Sequence, residues 1–164
     1  MNDSGLDDLS SQAGVHFSIW GVVMQELVIS TDKARLDVAA IHHFLSREST
    51  WGKGIPRTVV EKSIEGSLCF GGYLQGKQIA FARVITDFAT FANLVDVFVL
   101  PQYRGRGFSK AIMAAILAAP ELQGLRRITL ATSDAHGLYA QFGFSPLTKP
   151  ETFMERYQPD IYSR

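Results

Sequence analysis

Apolar runs along this chain are separated by glycine- and proline-bearing breaks, and their periods predict its elements. Val, Ile and Leu with polar interruptions over residues 22–29 predict a strand. Leu36, Ala39, Ala40 and Phe44 then recur at helical spacing, which predicts an amphipathic helix capped by Ser30 or Thr31. The stretch "STWGKGIPRT" interrupts, and a short helix is expected from Pro56, because proline is well tolerated at a helix start. "SLCFGGYL" and "QIAFARVIT" read as an antiparallel hairpin turned at Gln75, Gly76 and Lys77. Gly71 and Gly72 mark a bulge or a close backbone approach within it.

A central strand is expected over about 94–100, with Leu94, Asp96 and Phe98 on one face and Val95, Val97 and Val99 on the other. A glycine turn follows, then a helix over about 107–119 that Pro120 stops. "LRRITLAT" predicts a strand parallel to the central one if that helix is a crossover. "SDAHGLYAQF" predicts a short helix capped by Ser133 or Asp134, and "TFMERY" a last strand. The order β-α-α-β-β-β-α-β-α-β describes an α/β or α+β sheet of mixed strand direction. Residues 1–14, rich in Ser, Asp and Gly, read as a flexible tail, and residues 15–164 as a single domain without internal repeats.

Composition narrows the function. Sixteen basic and sixteen acidic side chains cancel, so nothing global attracts nucleic acid or an anionic membrane surface. No stretch approaches the ~20 apolar residues of a membrane span. The lone cysteine, Cys69, forms no internal disulfide and reads as a small apolar strand residue, which fits a cytoplasmic setting. His42 and His43 are adjacent and point apart on a helix, so they make no metal pair, and no metal is expected.

The chemistry concentrates in "QYRGRGFSK". Gly105 and Gly107 let a ligand approach the backbone, and the helix that follows presents unpaired N–H groups and a positive dipole end. Arg104, Arg106 and Lys110 add charge at the rim. The turn therefore suits a pyrophosphate. It lacks the spacing of a nucleotide P-loop, and Lys110 stands where a dinucleotide fingerprint needs a third glycine.

The turn does satisfy Q/R-x-x-G-x-G/A, from Gln102 to Gly107. At this point the chain resembles the GNAT superfamily of N-acetyltransferases, in an uncharacterised bacterial-type branch. "LYAQFGF" is similar to that family's Y-x-x-x-G-F signature, and the likeness spans residues from about 30 to 155. It implies the acyl-CoA N-acyltransferase fold, a mixed and mostly antiparallel sheet flanked by helices with a splayed parallel strand pair. It implies acetyl-CoA as co-substrate, with pantetheine along the backbone of Phe98, Val99 and Leu100. The pyrophosphate would take N–H groups of Arg104, Gly105, Arg106, Gly107, Phe108, Ser109 and Lys110. A homodimer is compatible with the resemblance.

Acyl transfer to an amine needs a neutral nucleophile, a stabilised oxyanion and a protonated leaving thiolate. The resemblance assigns the leaving-group proton to Tyr139, whose phenol stays protonated at neutral pH with a pKa of roughly 10; otherwise Tyr139 packs beside the cofactor. Asp96, the one carboxylate of the central strand, either accepts the amine's proton or pairs with an arginine such as Arg83. Asp87 is the second candidate for that base, at the acceptor side. His136, three residues before Tyr139, either touches the cofactor and phenol or bonds local backbone. Trp51 walls an acceptor pocket or caps the core, and Arg57 or Lys53 meets a carboxylate or is solvated. Three functions remain open: N-acetylation of a small-molecule amine, N-acetylation of a protein or peptide, and acyl-CoA sensing without turnover.

Overall fold

The computed structural model describes residues 26–163. The predicted tail and the first half of the predicted first strand, residues 22–25, lie outside them. Five strands form one sheet in the order β1-β2-β3-β4-β5: β1 Val28–Ser30, β2 Leu68–Leu74, β3 Lys77–Thr86, β4 Phe91–Val99 and β5 Arg127–Leu130. All neighbours are antiparallel except β4 and β5, which run parallel. The helices are α1 Val38–His43, α2 Arg57–Glu65, α3 Phe108–Ala118 and α4 His136–Ala140. The expected mixed sheet flanked by helices is present.

Hydrophobic periodicity divides the core between the two faces of the sheet. On α3, Phe108, Ile112, Met113 and Ile116 fall on one side and pack against Ala82, Val84, Ala92 and Leu94. On the opposite face, Ile41, Phe44, Val60 and Ile64 from the α1–α2 side meet Cys69, Phe81 and Phe98. Phe44 stacks on Phe98 with centroids 3.9 Å apart. Each such buried ring contributes roughly 2–3 kcal/mol of transfer free energy.

The β2–β3 hairpin turns as expected, with Gln75 and Gly76 both at positive φ, the backbone of a type I′ turn. The glycine pair also marks a bulge, since the register shifts between Gly72 and Tyr73. A Cβ on Gly71 would stand 2.5 Å from the Tyr73 hydroxyl, so only glycine fits there.

Four expectations change. The first helix is not capped by Ser30 or Thr31: Asp32 caps a single 3₁₀ turn, and Asp37 caps α1 by accepting from Ala40 N at 2.9 Å. Neither Ser133 nor Asp134 caps α4; the Thr132 hydroxyl accepts from Ala135 N instead. "TFMERY" forms no strand, for its backbone finds no sheet partner and the sheet ends at β5. Strict alternation on β4 also fails. Phe81 pairs with Phe98 but Arg83 with Val95, so two steps on β3 span three on β4. The extra residue is a bulge, with Asp96 at φ 54°, a conformation that aspartate tolerates better than most side chains. Leu94, Val97 and Val99 therefore share the α3 face, while Phe98 joins the cluster under α1 and α2.

Candidate active site

The bulge and the end of strand pairing coincide. β4 and β5 are paired from Phe91 with Arg127 to Leu94 with Leu130, and no further. Past Leu94, the β5-facing edge of β4 carries no strand partner among the described residues, and the parallel pair opens. β4 leads through a 3₁₀ turn at Pro101–Tyr103 into the glycine turn and α3. Gly105 and Gly107 have φ of 74° and 82°, which L side chains rarely adopt. A Cβ at either would meet no protein atom within 4 Å, so backbone conformation, not crowding within the protein, requires these glycines.

Among the described residues, no protein acceptor meets the N–H groups of Gly105, Arg106, Gly107, Phe108, Ser109 or Lys110. The helix ladder starts only with Ala111 N, which donates to Gly107 O at 3.1 Å. Consecutive free donors at the start of an 11-residue helix make an anion cradle. The charges around it divide. Arg104 turns back, Nε donating to Val99 O at 3.0 Å, and Arg106 lies over the Phe108 ring, 5.2 Å from its centroid. Lys110 is exposed and makes no ion pair among the described residues. Of the predicted pantetheine contacts, Leu100 N is taken by Ile79 O at 2.9 Å, and the Phe98 ring is buried under Phe44.

Asp96 stands at the opening. Oδ2 accepts from Arg83 Nε at 2.9 Å, and Arg83 NH1 in turn donates to Ser67 Oγ at 2.9 Å. Oδ1 accepts from Trp51 Nε1 at 3.0 Å. The expected pairing with Arg83 is thus present, and Trp51 joins it. The loop carrying Trp51 is fastened at its base. A π turn over Phe44–Glu48 closes with Ser49 N donating to Phe44 O, and Ser49 Oγ donates to Leu45 O at 2.6 Å. Gly52 N donates to Ser49 Oγ at 3.0 Å and Gly54 N to Ser46 O at 3.0 Å. Trp51 itself is 55% exposed, with its ring tilted against buried Phe44 at 6.3 Å between centroids.

Tyr139 is buried in α4, edge-on to Phe144 with centroids 6.0 Å apart. Its hydroxyl has no protein partner among the described residues. Burial, reinforced by the nearby Asp134 charge, raises its pKa above the ordinary 10.0, so the phenol holds its proton. Tyr139 and the exposed His136 both line a cavity of about 790 Å³ that runs along β5 to Thr132. Among the described residues, the His136 ring makes no hydrogen bond to backbone.

The remaining candidates sit apart. Arg57 pairs with Glu61 on α2 at 2.8 Å and lines neither cavity. Asp87 occupies the β3–β4 turn, at the opposite end of β4 from the glycine turn. The Thr90 hydroxyl and the N–H groups of Thr90, Phe91 and Ala89 all donate to its carboxylate, holding it well below the usual carboxylate range.

The family model for the acetyltransferase (GNAT) domain matches residues 65–146, which include β4, the glycine turn and Tyr139. The chain belongs to the GNAT acetyltransferase family. Over 138 residues it is 31% identical to a Gibberella zeae protein provisionally named an acetyltransferase, covering 71% of this chain and 77% of that protein. It is 57% identical to a solved, provisionally assigned GNAT-family acetyltransferase from Xanthomonas campestris pv. campestris. That superposition has a TM-score of 0.83 over 85% of this chain and 98% of the other. The ribosomal-protein-S18-alanine N-acetyltransferase of Escherichia coli shares the fold at 23% identity, with a TM-score of 0.62 over 75% of this chain and 80% of that one.

GNAT acetyltransferases use acetyl-CoA, and the residues present fit it. The free N–H run from Gly105 to Lys110 matches a diphosphate, and the opened edge of β4 matches an extended pantetheine arm. Among the described residues, no three His, Cys, Asp or Glu side chains cluster as metal ligands, and no helix is long and apolar enough to cross a membrane. Sequence reasoning missed Ser46 and Ser49, which set the Trp51 loop. It also missed Arg156, Tyr157 and Tyr162, which line a cavity with Trp51 although a hundred residues of chain intervene. No local pattern marks any of them.

Proposed function

We propose that the protein is an acetyl-CoA-dependent N-acetyltransferase that acetylates the primary amine of a small molecule by direct attack. The observation that carries this reading is the run of unpaired N–H donors from Gly105 to Lys110 beside the point where β4 leaves β5. Acetyl-CoA would supply an activated acetyl thioester, its diphosphate held by those donors and by Lys110. Tyr139 holds a proton on a partner-free hydroxyl and gives it to the leaving sulfur. Asp96, fixed by Arg83 and Trp51, receives the amine's proton directly or through water. The lone buried thiol of Cys69 is in keeping with a cytoplasmic enzyme.

The test combines calorimetry with CoA and an amine screen with acetyl-CoA, read as free thiol. Micromolar CoA binding and thiol release with one class of amine are expected. CoA binding without release for any amine would instead favour an acyl-CoA sensor, and absence of CoA binding would end the reading.

A further inference from the structure

A second cavity, of about 870 Å³, lies between the α1–α2 loop and the C-terminal residues 156–163. Trp51, Lys53, Arg156, Tyr157 and Tyr162 contribute to its wall, and among the described residues no acidic side chain does. Neither Lys53 nor Arg156 has a carboxylate within ion-pair distance among the described residues. Gly54 brings the two walls together: a Cβ there would stand 3.1 Å from Tyr162 O. The cavity also borders the proposed chemistry, because Trp51, in its wall, hydrogen bonds to Asp96 on β4. Charge therefore differs across one indole ring, with the Asp96 carboxylate on the β4 side and, in the cavity wall, Lys53 of the α1–α2 loop and Arg156 of the C-terminal segment.

The geometry points to this cavity as the acceptor site, and to an acceptor that is a primary amine carrying an anionic group, carboxylate or phosphate. The inference rests on the proposed acetyltransferase reading and names its substrate class. The ammonium end lies at the Trp51 side of the cavity, and Asp96 stands behind that indole rather than in the cavity wall. The anionic end is held by Lys53 and Arg156, and the aromatic side chains cover the carbon skeleton between them. Guanidinium suits the planar, two-point recognition of carboxylate or phosphate oxygens. Diamines and polyamines are disfavoured, since their second ammonium would meet Lys53 and Arg156, which no acid among the described residues offsets.

The experiment measures binding and turnover with one panel on the full chain. The anionic arm holds α-amino acids, β-alanine and phosphoethanolamine; the control arm holds ethanolamine and 1,3-diaminopropane. Calorimetry in the presence of CoA is expected to detect the anionic amines and not the controls. The carboxylates and the phosphate within that arm identify the anion. Arg156→Met and Lys53→Met are expected to raise KM for the anionic acceptor about tenfold each, as for a lost charge-assisted contact, with kcat and CoA affinity preserved. Arg156→Lys should recover part of the loss. If a neutral amine or a diamine is acetylated with a KM that neither variant changes, the inference is overturned while the acetyltransferase reading stands. If CoA binds but no anionic amine does, the inference is overturned as well. Failure to bind CoA would instead remove the reading beneath it.

Discussion

Arg83 Nε and Asp96 Oδ2 meet at 2.9 Å across the β3–β4 pair, with both side chains largely shielded from water. Because Asp96 is the bulge residue, its carboxylate reaches Arg83 on the α1–α2 side, where Trp51 takes its second oxygen. One carboxylate thus closes a strand irregularity, neutralises a guanidinium and anchors a loop.

Asp96→Asn leaves Arg83 without its counter-charge and is expected to cost about 3 kcal/mol in urea unfolding, as for a broken shielded pair. Arg83→Gln with Asp96→Asn, neutral on both sides, should lose less than Asp96→Asn alone. If Asp96 also receives the amine's proton, kcat of Asp96→Asn should fall about 10²-fold or more, measured well below its melting point. An unchanged kcat would leave Asp96 a purely structural residue.

Tyr139→Phe removes a hydroxyl that makes no hydrogen bond among the described residues. Urea stability and CoA affinity should therefore change little. Turnover should fall about 10²-fold or more, the usual worth of a positioned general acid. Equal losses in stability and turnover would point to packing as its role.

Gly107→Ala forces an L side chain to φ 82° with no neighbour to clash against. Strain alone should cost about 1–2 kcal/mol of stability. The new methyl group also stands on the surface that a diphosphate must approach, so CoA affinity should drop at least tenfold by calorimetry. A stability loss with unchanged affinity would remove the turn from the binding site.

Burial raises the pKa of three groups: Cys69 above 9.0, and Tyr73 and Tyr139 above 10.0. Each raised folded value contributes stability that is intact below the unfolded pKa. That contribution is lost as pH climbs from there through the folded pKa. Urea stability should therefore decline from about pH 9 upward, where unfolded thiols and then phenols ionise first. Cys69→Ala should flatten the first part of this decline, between about pH 9 and 10. An unchanged slope in that variant would exclude the thiol as a source.

Much of the frame was legible because it is written in local patterns. Gln75 and Gly76 carry the turn preference of a two-residue hairpin, and Phe108, Ile112, Met113 and Ile116 carry the spacing of one helix face. The glycine turn could be read for the same reason, since positive φ selects glycine at the position itself. The bulge at Asp96 could not, because alternation counts residues along one strand and the extra residue exists only relative to β3. The bond from Trp51 to Asp96 crosses 45 residues of sequence, and the cavity that adds Arg156 and Tyr162 crosses more. Such juxtapositions come from the way loops lie over the sheet. "TFMERY" misled through β-propensity, which counts only where a neighbouring strand offers its edge.

Trp51 has one further consequence. Its indole is half open to solvent yet tethered to a charged partner, and only one other tryptophan, Trp20, occurs in the chain. Replacing Trp20 with phenylalanine leaves Trp51 as the single tryptophan, excited apart from the tyrosines at the red edge of the absorption band, at the junction of loop, strand and cavity. A colourless amine that displaces water from that ring will shift its emission, so acceptor association can be timed by stopped flow without a label.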